Sequence, residues 1–576
     1  MATIRWVWKY IKPHLRKWIF ASVLTVIVSG VVIVTPYISG RIVDEVIVAG
    51  NMDRLIPLLS IMVGIVIAKE ALRYYYQIQY ESISQDALYQ IREELYQKLQ
   101  ELDFSFFNQT RTGDIMARMT GDTNAIRHGI AWTYYSILDN IVLFLSALVL
   151  MFTIDWRLTL ALLSVTPFIV MLTVLLSKNA RQAYYDIRQS FSRLNSMVEE
   201  NIRGNKTVKV FANEDYEQEK FNKVNEYFKE TNMASANISK TYLPAIEVFA
   251  GLMSVISIGF GGWLVINQKI SIGNLVTFNS LVWMINMPMR NVGNFMNNIQ
   301  NLYSSSLKIR EMLAREPKIP IEEQKQEGEI RGAVEFRNVS FAFDDEPNTL
   351  VLDNITFQAN PGEEIGILGE TGSGKTTLIN LISRFYDPTE GQVLIDGIDA
   401  RDWNVIALRK NIAVIMQDAF VFSDTIQSNI AYGYPGARME EIKRAAEISD
   451  SKEFIEKMPF DYETYLGEQG SGLSGGQKQR LSLARGLLKD PSILILDDTT
   501  SAVDMETEIK IQEGIDETSQ HMTKFIIANR ISSVKDADHI MVLSDGKIQE
   551  EGVHQELLAK KGSYYEIYKE QLGQNE

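Results

Sequence analysis

Long apolar segments in the first half of the sequence constrain its fold more strongly than any other feature. An α-helix needs about 20 predominantly apolar residues to cross the hydrocarbon core of a bilayer, and its backbone hydrogen bonds are then satisfied internally. Six segments approach this length: 18–37, 55–74, 136–152, 158–176, 243–266 and 272–292. The first continues past the length of a signal peptide and lacks a small-residue cleavage site, so we expect it to be retained. The sequence therefore predicts six membrane-spanning helices.

The connections between these segments differ in length and charge. Those after the second and the fourth segment run to roughly 60 residues each, and the second of them contains eleven Lys and Arg residues between positions 178 and 240. Because cytosolic connections are enriched in cations, we expect a multi-pass protein of the cell membrane whose N-terminus, long connections and C-terminal half are cytosolic. The long connections are rich in helix-forming residues, so we expect the membrane helices to continue into the cytosol, turn once and return.

Ionisable residues interrupt two of the predicted spans. Lys69, Glu70 and Arg73 lie in the second segment, and Glu247 lies in the fifth. An unpaired charge in lipid costs several kcal/mol, so such residues face a cavity or pair with one another. Two interpretations remain open for these residues: they line a substrate cavity, or they form structural ion pairs near the helix ends.

Composition excludes several other kinds of protein. The net charge of −15 argues against a nucleic-acid partner, because phosphate-binding surfaces are basic. The sequence has no Cys, which excludes disulfides and thiolate–metal sites, and its five His residues show no metal-ligand spacing.

A phosphate-binding motif lies in the second half of the chain. Residues 369–376 match G-x-x-x-x-G-K-[ST], between an apolar strand and an apolar helical stretch. In such a loop the backbone N–H groups and the Lys bind phosphates, and the hydroxyl ligates Mg²⁺. Asp497 ends a predicted buried strand, where a carboxylate holds the same ion. We therefore predict ATP and Mg²⁺ as cofactors, with Thr376 and Asp497 as metal residues. The predicted nucleotide-binding residues of this loop are Gly369, Gly372, Gly374, Lys375, Thr376 and Thr377.

A second motif, LSGGQ at 473–477, opens a predicted helix between the phosphate-binding loop and Asp497. With both motifs at this spacing, the second half resembles the nucleotide-binding domain of ATP-binding cassette (ABC) transporters. Nearly the whole chain resembles bacterial ABC exporter half-transporters of the multidrug type. The resemblance implies a six-helix transmembrane domain followed by an α/β P-loop nucleotide-binding domain, with intracellular coupling regions at 111–122 and 200–209.

The resemblance also implies roles for single residues. Phe343 stands where the family stacks an aromatic ring on adenine, and Gln417 stands where a glutamine senses Mg²⁺. The signature residues, which bind the γ-phosphate held by the other subunit, are Ser474, Gly475 and Gly476. Asp504 matches the loop that crosses between the two nucleotide domains. The expected domains are a transmembrane domain at 1–315, a linker at 316–332 and a nucleotide-binding domain at 333–576.

Two positions depart from the family pattern at the same chemical step. The family places a Glu after the Mg²⁺ aspartate as general base and a His in the switch loop, whereas this chain has Asp498 and Asn529. Asp is one methylene shorter than Glu, and a misplacement of about 1 Å can cost about 10²-fold in rate. Asn can hydrogen-bond a γ-phosphate but cannot carry the charge of His. Neutral drift, or an engineered residue at position 529, is the alternative explanation. Because the phosphate-binding loop and the signature are intact, the pattern favours a site that binds ATP and hydrolyses it poorly, with Asp498, Asn529 and Gln417 as its candidate catalytic residues.

In this family each ATP lies between the phosphate-binding loop of one chain and the signature of the other. The sequence therefore favours one subunit of a heterodimeric exporter that uses ATP to expel amphiphilic drugs or lipids, with most turnover at the site of a second half-transporter. Two alternatives remain: a slow homodimeric lipid flippase or exporter, and a regulatory ABC subunit that senses nucleotide without transporting.

Overall fold

The computed structural model describes residues 2–321, 325–499, 503 and 505–572. The chain divides into two compact units. The first comprises Met1–Gln100 and Thr110–Arg315, and the second comprises Glu101–Gln109 and Glu316–Glu576. The short stretch Glu101–Gln109 therefore groups with the second unit, although it precedes most of the first unit in sequence.

The first unit contains helices and no strand among its described residues. Its helices are α1 (Ala2–Ile11), α2 (Leu15–Val31), α3 (Val34–Arg41), α4 (Leu55–Glu101), α6 (Thr112–Ala117), α7 (Thr123–His128), α8 (Tyr134–Ile154), α9 (Trp156–Leu163), α10 (Thr166–Arg203), α11 (Asn205–Phe211), α12 (Glu214–Ile266) and α13 (Ile272–Leu313), with α5 (Phe104–Gln109) in the second unit. A π-helical turn follows α3, a second links α6 to α7, and a third links α7 to α8.

Five helical stretches in the described part of the chain are long and apolar enough to cross a membrane. They are Arg5–Val48, Met52–Glu101, Thr112–Ile154, Trp156–Arg203 and Glu214–Ile266. The sixth predicted segment lies in α13, a continuous helix of 42 residues. This helix is long enough to cross, but it is less apolar than the other five because Asn residues such as Asn279 and Asn286 interrupt its apolar stretch.

The long connections are helical, as expected from their composition. Helix α4 continues for 47 residues, which corresponds to about 70 Å at 1.5 Å per residue. Helix α10 has 38 residues and α12 has 53, and only the seven-residue α11 and its flanking turns separate them. Helices α4 and α12 are more than twice as long as a bilayer crossing needs, and α10 is nearly twice as long. The predicted extension of the membrane helices is therefore confirmed.

Ionisable residues in the spans form pairs. Lys69 Nζ lies 2.9 Å from Glu70 Oε1 on α4. Glu247 of α12 pairs with Arg290 of α13, a partner that the sequence did not single out. Both pairs are partly solvent-exposed within the single chain. The contacts favour the ion-pair interpretation of Lys69, Glu70 and Glu247.

The second unit is an α/β domain. Its strands are β1 (Val334–Phe341), β2 (Leu352–Ala359), β3 (Glu364–Gly369), β4 (Glu390–Ile395), β5 (Ile398–Asp399), β6 (Ile412–Ile415), β7 (Ile493–Asp497), β8 (Thr523–Ile527), β9 (His539–Ser544) and β10 (Lys547–Gly552). Its helices beyond α5 are α14 (Lys375–Ile382), α15 (Val405–Lys410), α16 (Ile426–Ala431), α17 (Met439–Ile448), α18 (Lys452–Glu456), α19 (Gly475–Leu488), α20 (Met505–Thr518), α21 (His554–Lys560) and α22 (Ser563–Leu572). The predicted combination of a helical unit with an α/β unit is confirmed.

Two sheets form the frame of this domain. An antiparallel sheet has the strand order β2-β1-β4-β5, and a six-stranded sheet has the order β10-β9-β3-β8-β7-β6. In the larger sheet, β9, β3, β8, β7 and β6 run parallel and only β10 is antiparallel. The carboxyl ends of β3, β8, β7 and β6 therefore lie side by side at one edge, which is where open α/β sheets bind ligands.

Side chains of the larger sheet alternate between two cores because successive residues of a strand point to opposite faces. Ile367, Ile495 and Phe525 pack on one face with the antiparallel sheet and α14. Leu494 and Ile526 pack on the other face with α20 and α22. Both faces are covered, so the central strands read as nearly continuous apolar runs.

Helix α5 contacts the rest of the second unit through specific side chains. The Phe104 ring stacks on Phe385 with 5.0 Å between centroids. Asn108 donates a hydrogen bond to the Tyr386 hydroxyl at 2.5 Å, and the carboxylate of Asp103 accepts one from the Lys318 backbone at 2.6 Å. These contacts explain why this stretch groups with the α/β domain.

In the first unit, α3 meets the N-terminus of α13 at two glycines. The backbones of Gly40 and Gly273 approach so closely that a Cβ on either residue would collide with the other. Asp44 adds to this contact, because its carboxylate accepts hydrogen bonds from the Gly273 backbone (2.7 Å) and the Ser271 hydroxyl (2.5 Å). A carboxylate at a helix N-terminus satisfies free N–H groups and is favoured by the helix dipole.

We expect Gly273→Ala to destabilise the protein by about 1–3 kcal/mol, because the added methyl group overpacks this contact. Gly262→Ala is the matched control, since nothing lies within 4 Å of a Cβ at that helical position, and Ala favours a helix over Gly. Melting temperatures of the purified variants measure the difference. A melting temperature of Gly273→Ala equal to that of Gly262→Ala would contradict the close approach.

Candidate nucleotide site

Residues 369–376 connect β3 to α14 in a path that requires glycine. Gly374 has a φ of 101°, and a Cβ there would lie 2.7 Å from the Leu352 side chain. Gly369 has a φ of 152°, and a Cβ there would collide with the Leu543 backbone. Around Gly372, by contrast, nothing lies within 4 Å of a side-chain position, so the outer side of the loop is open. A loop that is tight on one side and open on the other can bring its N–H groups close to a phosphate.

Lys375 folds its side chain back over this loop. Its ammonium group donates to the carbonyl oxygens of Gly369 (2.6 Å) and Glu370 (2.8 Å). Burial lowers the pKa of Lys375, because an ammonium group loses its hydration there. A bound phosphate would supply the negative charge that favours the protonated form.

Ser373 is a site residue that the sequence pattern treats as variable. Its side chain is 5% exposed, and its hydroxyl has no hydrogen-bond partner among the described residues. An unpaired buried hydroxyl is costly, and a phosphate oxygen at the loop would satisfy it. The backbone conformation of the glycine-containing loop, the buried ammonium group of Lys375 and the Ser373 hydroxyl together fit a nucleotide phosphate.

Thr376 and Asp497 come together at the carboxyl end of β7. The Thr376 hydroxyl donates to Asp497 Oδ2 at 3.3 Å. Burial raises the pKa of Asp497, and the nearby Asp498 carboxylate raises it further, against the lowering effects of Thr376 and Lys375. No group of three or more His, Cys, Asp or Glu residues forms a metal cage in the described part of the chain. One hydroxyl and one carboxylate beside a phosphate site are a set that fits Mg²⁺, which takes much of its coordination from phosphates and water.

The three candidate catalytic residues meet in one cluster. Asp498 Oδ2 accepts hydrogen bonds from Gln417 Nε2 at 3.3 Å and from Asn529 Nδ2 at 3.2 Å. Asp498 has a φ of 48°, and its backbone N–H donates to the Ile527 carbonyl at 2.8 Å. The loops after β6, β7 and β8 each contribute one of these side chains. Strand order therefore brings together residues that are 81 and 31 positions apart.

The signature residues lie at the N-terminus of α19. Ser474 caps this helix: its hydroxyl accepts from the Gln477 backbone at 3.3 Å, and the Gln477 side chain accepts from the Ser474 backbone at 2.8 Å. Ser474 and Gly475 are exposed in the single chain, and Gly476 is half-buried. The hydroxyl and the first N–H groups of α19 therefore face outward, where a negatively charged group is favoured.

Three further predicted residues have different surroundings. Phe343 is half-buried, with its ring edge-on to Phe341 (5.0 Å) and Tyr386 (5.5 Å), and it lines a cavity of about 470 Å³ together with residues of α5. Thr377 is buried in the first turn of α14. Asp504 lies outside the described residues.

Comparisons with known proteins place both units in one family. A family model described as the ABC transporter transmembrane region matches residues 18–289, and one described as ABC transporter matches residues 352–501. The chain is 37% identical over 572 residues to the uncharacterized ABC transporter ATP-binding protein YknU of Bacillus subtilis (strain 168), covering 99% of this chain and 97% of the relative. It is 33% identical to the ATP-dependent lipid A-core flippase of Syntrophus aciditrophicus (strain SB), covering 98% and 94%. It is 32% identical to the putative multidrug export ATP-binding/permease protein YgaD of B. subtilis, covering 99% of both.

A solved structure agrees with these sequence relationships. The chain superposes on a bacterial Atm1-family ABC exporter with ATP bound, with a TM-score of 0.80, 26% sequence identity and coverage of 97% of this chain and 98% of the other. The match spans both units, so the order of a membrane unit followed by an ATPase unit is common to the two proteins.

We expect Lys375→Ala to weaken ATP binding at this loop by about 30- to 1,000-fold, because roughly 2–4 kcal/mol of charge-assisted hydrogen bonding is lost. Lys457→Ala is the control, since that lysine is exposed and pairs with Glu453 on α18. Titration with a fluorescent ATP analogue measures both affinities. If Lys375→Ala and Lys457→Ala bound the analogue equally well, Lys375 would have no role at the phosphates.

Proposed function

The chain belongs to the ABC transporter family, whose members are ATP-hydrolysing transporters, and on that premise we propose that it is one subunit of a heterodimeric exporter in the cell membrane. Its own phosphate-binding loop retains MgATP and hydrolyses it poorly, while a second half-transporter carries the main ATPase site. The observation that carries this proposal is the cluster in which Asp498 accepts hydrogen bonds from two neutral amides, Gln417 and Asn529.

The chemistry of this cluster supports binding without efficient turnover. MgATP, when bound, supplies the γ-phosphoryl group that water attacks. A general base must lie within hydrogen-bond reach of that water, and Asp498 is one methylene shorter than the Glu that the family resemblance implies. Its Oδ2 atom is already engaged by two donors. The amide of Asn529 can donate a hydrogen bond, but it neither accepts a proton nor carries a positive charge.

The phosphate-binding residues do not share these defects. The glycine path, Lys375, Thr376 and Asp497 are all in positions that fit a nucleotide and Mg²⁺. Binding and hydrolysis use different parts of the site, so loss of one does not require loss of the other. These features therefore support a site that binds and retains ATP, in preference to a site that has lost nucleotide binding altogether.

The exposed signature supports a partner. Ser474 and Gly475 face outward at the start of α19, with N–H groups available for a phosphate. If each ATP lies between the loop of one chain and the signature of the other, this intact signature completes the partner's site. Two copies of this chain would have two poor sites and no efficient one, so the arrangement favours a heterodimer.

Amphiphiles are the proposed substrate class. Of the relatives named above, one is a lipid A-core flippase and one is a putative multidrug export protein, and both match nearly the entire chain. The long apolar helices of the first unit are suited to a substrate that partitions into the bilayer. We propose that amphiphilic drugs or lipids are expelled through this unit.

We expect the purified chain alone to hydrolyse ATP slowly, and the complex with the half-transporter that co-purifies from native membranes to be about tenfold or more faster. The double variant Asp498→Glu, Asn529→His should raise turnover of the single chain, because it restores the base and the switch residue together. Phosphate release under identical lipid conditions measures the ATPase rate of the single chain, the complex and the double variant. Rapid turnover by the unmodified single chain would rule out the heterodimer and favour the homodimeric flippase or exporter.

We expect Ser474→Arg to abolish most ATPase activity of the complex, whereas Asp498→Glu alone raises it only modestly. Ser474 donates to the γ-phosphate at the partner's efficient site, where charge stabilisation supplies most of the rate. Asp498→Glu repairs one of two defects, and residues that act as a unit are strongly non-additive.

Melting temperatures of the same preparations separate catalysis from helix capping, which is worth about 1 kcal/mol. A large loss of activity with a small change in melting temperature fits the phosphate role. Many-fold activation by Asp498→Glu, with no effect of Ser474→Arg, would mean that the efficient and the poor site are assigned the wrong way round.

A further inference from the structure

The last turn of the C-terminal helix α22 contacts the loop that carries Asn529. We call residues 528–531 the switch loop. Gln571 Nε2 donates to the Asn529 carbonyl at 2.7 Å, and Gln571 Oε1 accepts from the Ile531 N–H at 2.9 Å. One side-chain amide thus binds a carbonyl and an N–H two residues apart, as the backbone of a neighbouring strand would do. The contact fixes the backbone on both sides of position 530.

Helix α22 is itself anchored, so it can hold the switch loop in place. Tyr564 is fully buried, Ile567 and Tyr568 pack against the same core, and the Tyr564 hydroxyl lies 2.6 Å from His554 Nδ1. Residues 564, 567, 568 and 571 are spaced three, four and seven positions apart, which places them on one face of a helix. Gln571 therefore occupies a polar position at the end of an otherwise apolar stripe.

The other side of the switch loop is fixed by α20. Glu508 accepts a hydrogen bond from the Ser533 hydroxyl at 2.7 Å and pairs with Arg530 at 3.9 Å. Ile531 is 1% exposed. The backbone that follows Asn529 is therefore held by Gln571 on one side and by Glu508 on the other. The Asn529 side chain itself is exposed, and its amide reaches Asp498 at 3.2 Å.

We propose that Gln571 is a positioning residue for the nucleotide switch: it sets the backbone of Asn529 so that the Asn529 amide meets Asp498, and it thereby controls how long this chain's site retains nucleotide. The inference rests on the proposed function, in which this site binds ATP without efficient turnover. Residence time is then the property that the switch loop can change, because hydrolysis does not limit occupancy.

The experiment measures nucleotide retention on this chain within the full transporter complex in lipid. The complex is loaded with radiolabelled 8-azido-ATP and Mg²⁺, chased with unlabelled ATP, and irradiated at successive times. Label on this 65.5 kDa chain is then separated from label on the partner by electrophoresis. Gln571→Ala is expected to shorten retention about three- to tenfold, the effect of losing one or two hydrogen bonds.

Two further variants make the mechanism specific. Gln571→Glu retains the acceptor for the Ile531 N–H but loses the donor to the Asn529 carbonyl, so it should shorten retention as Gln571→Ala does. In an Asn529→Ala background, Gln571→Ala should have no further effect, because its action passes through the Asn529 side chain. Glu570→Ala is the control, since this exposed neighbour lies in the same turn.

Each other outcome counts against the inference. If Gln571→Ala shortened nucleotide retention equally in the wild type and in the Asn529→Ala background, Gln571 would act by another route. A lower melting temperature with unchanged retention would show a purely structural contact. Long retention in the wild type together with either result overturns this inference alone. Equal retention in the wild type and Asn529→Ala also overturns this inference alone, because the proposed action of Gln571 passes through the Asn529 side chain. Rapid loss of label from the wild-type chain overturns the proposed function as well, because this site would then not retain ATP.

Discussion

The parallel pairing of β3, β8, β7 and β6 determines where the predicted nucleotide-binding side chains of the second unit lie. Ile527 of β8 lies opposite Ile367 on one side and Asp497 on the other, and Ile415 of β6 lies opposite Leu496. Strands about 4.8 Å apart bring four successive loop starts within about 15 Å. A register slip of one residue would turn every core side chain to the opposite face. The two apolar cores therefore fix the register, and the register fixes the site.

Charge in this site is balanced only in part by the protein. Burial lowers the pKa of Lys375 and raises the pKa of Asp497. The charged form of each group is therefore destabilised by burial when no ligand is bound. A triphosphate and Mg²⁺ bring charges of both signs to the two groups at once. Favourable binding energy is thus available from groups that take no part in moving a proton. The cluster of Asp498, Gln417 and Asn529 lies beside them and is made of one carboxylate and two neutral amides. Tight retention and slow turnover are compatible because different residues serve them.

Sequence reasoning predicted the parts of this protein that depend on local pattern. The phosphate-binding loop and Asp497 follow from short motifs in their strand context, and the helical long connections follow from residue composition. Contacts between distant residues could not be predicted in the same way. The partner of Glu247 is Arg290, on another helix, and the contact of Asp498 with Gln417 depends on a strand order that no local pattern reveals. Gln571 is 42 positions from Asn529 and belongs to no motif. Helix α13 shows that local pattern also has limits. Its length agrees with a membrane-spanning helix, but its Asn content makes it less apolar than the other five membrane-spanning candidates.

The two roles considered for Ser474 are chemically compatible. Its hydroxyl accepts the hydrogen bond from the Gln477 backbone that caps α19. A hydroxyl has two acceptor lone pairs and one donor, so capping uses an acceptor and leaves the O–H free to donate. The Gln477 side chain accepts from the Ser474 backbone at 2.8 Å, which fixes the position of this residue from the other direction. Gly475 follows without a side chain to cover the first N–H groups of the helix. The cap therefore orients the Ser474 hydroxyl and keeps the helix N-terminus open, and both features agree with the proposed binding of a phosphate held by a second subunit.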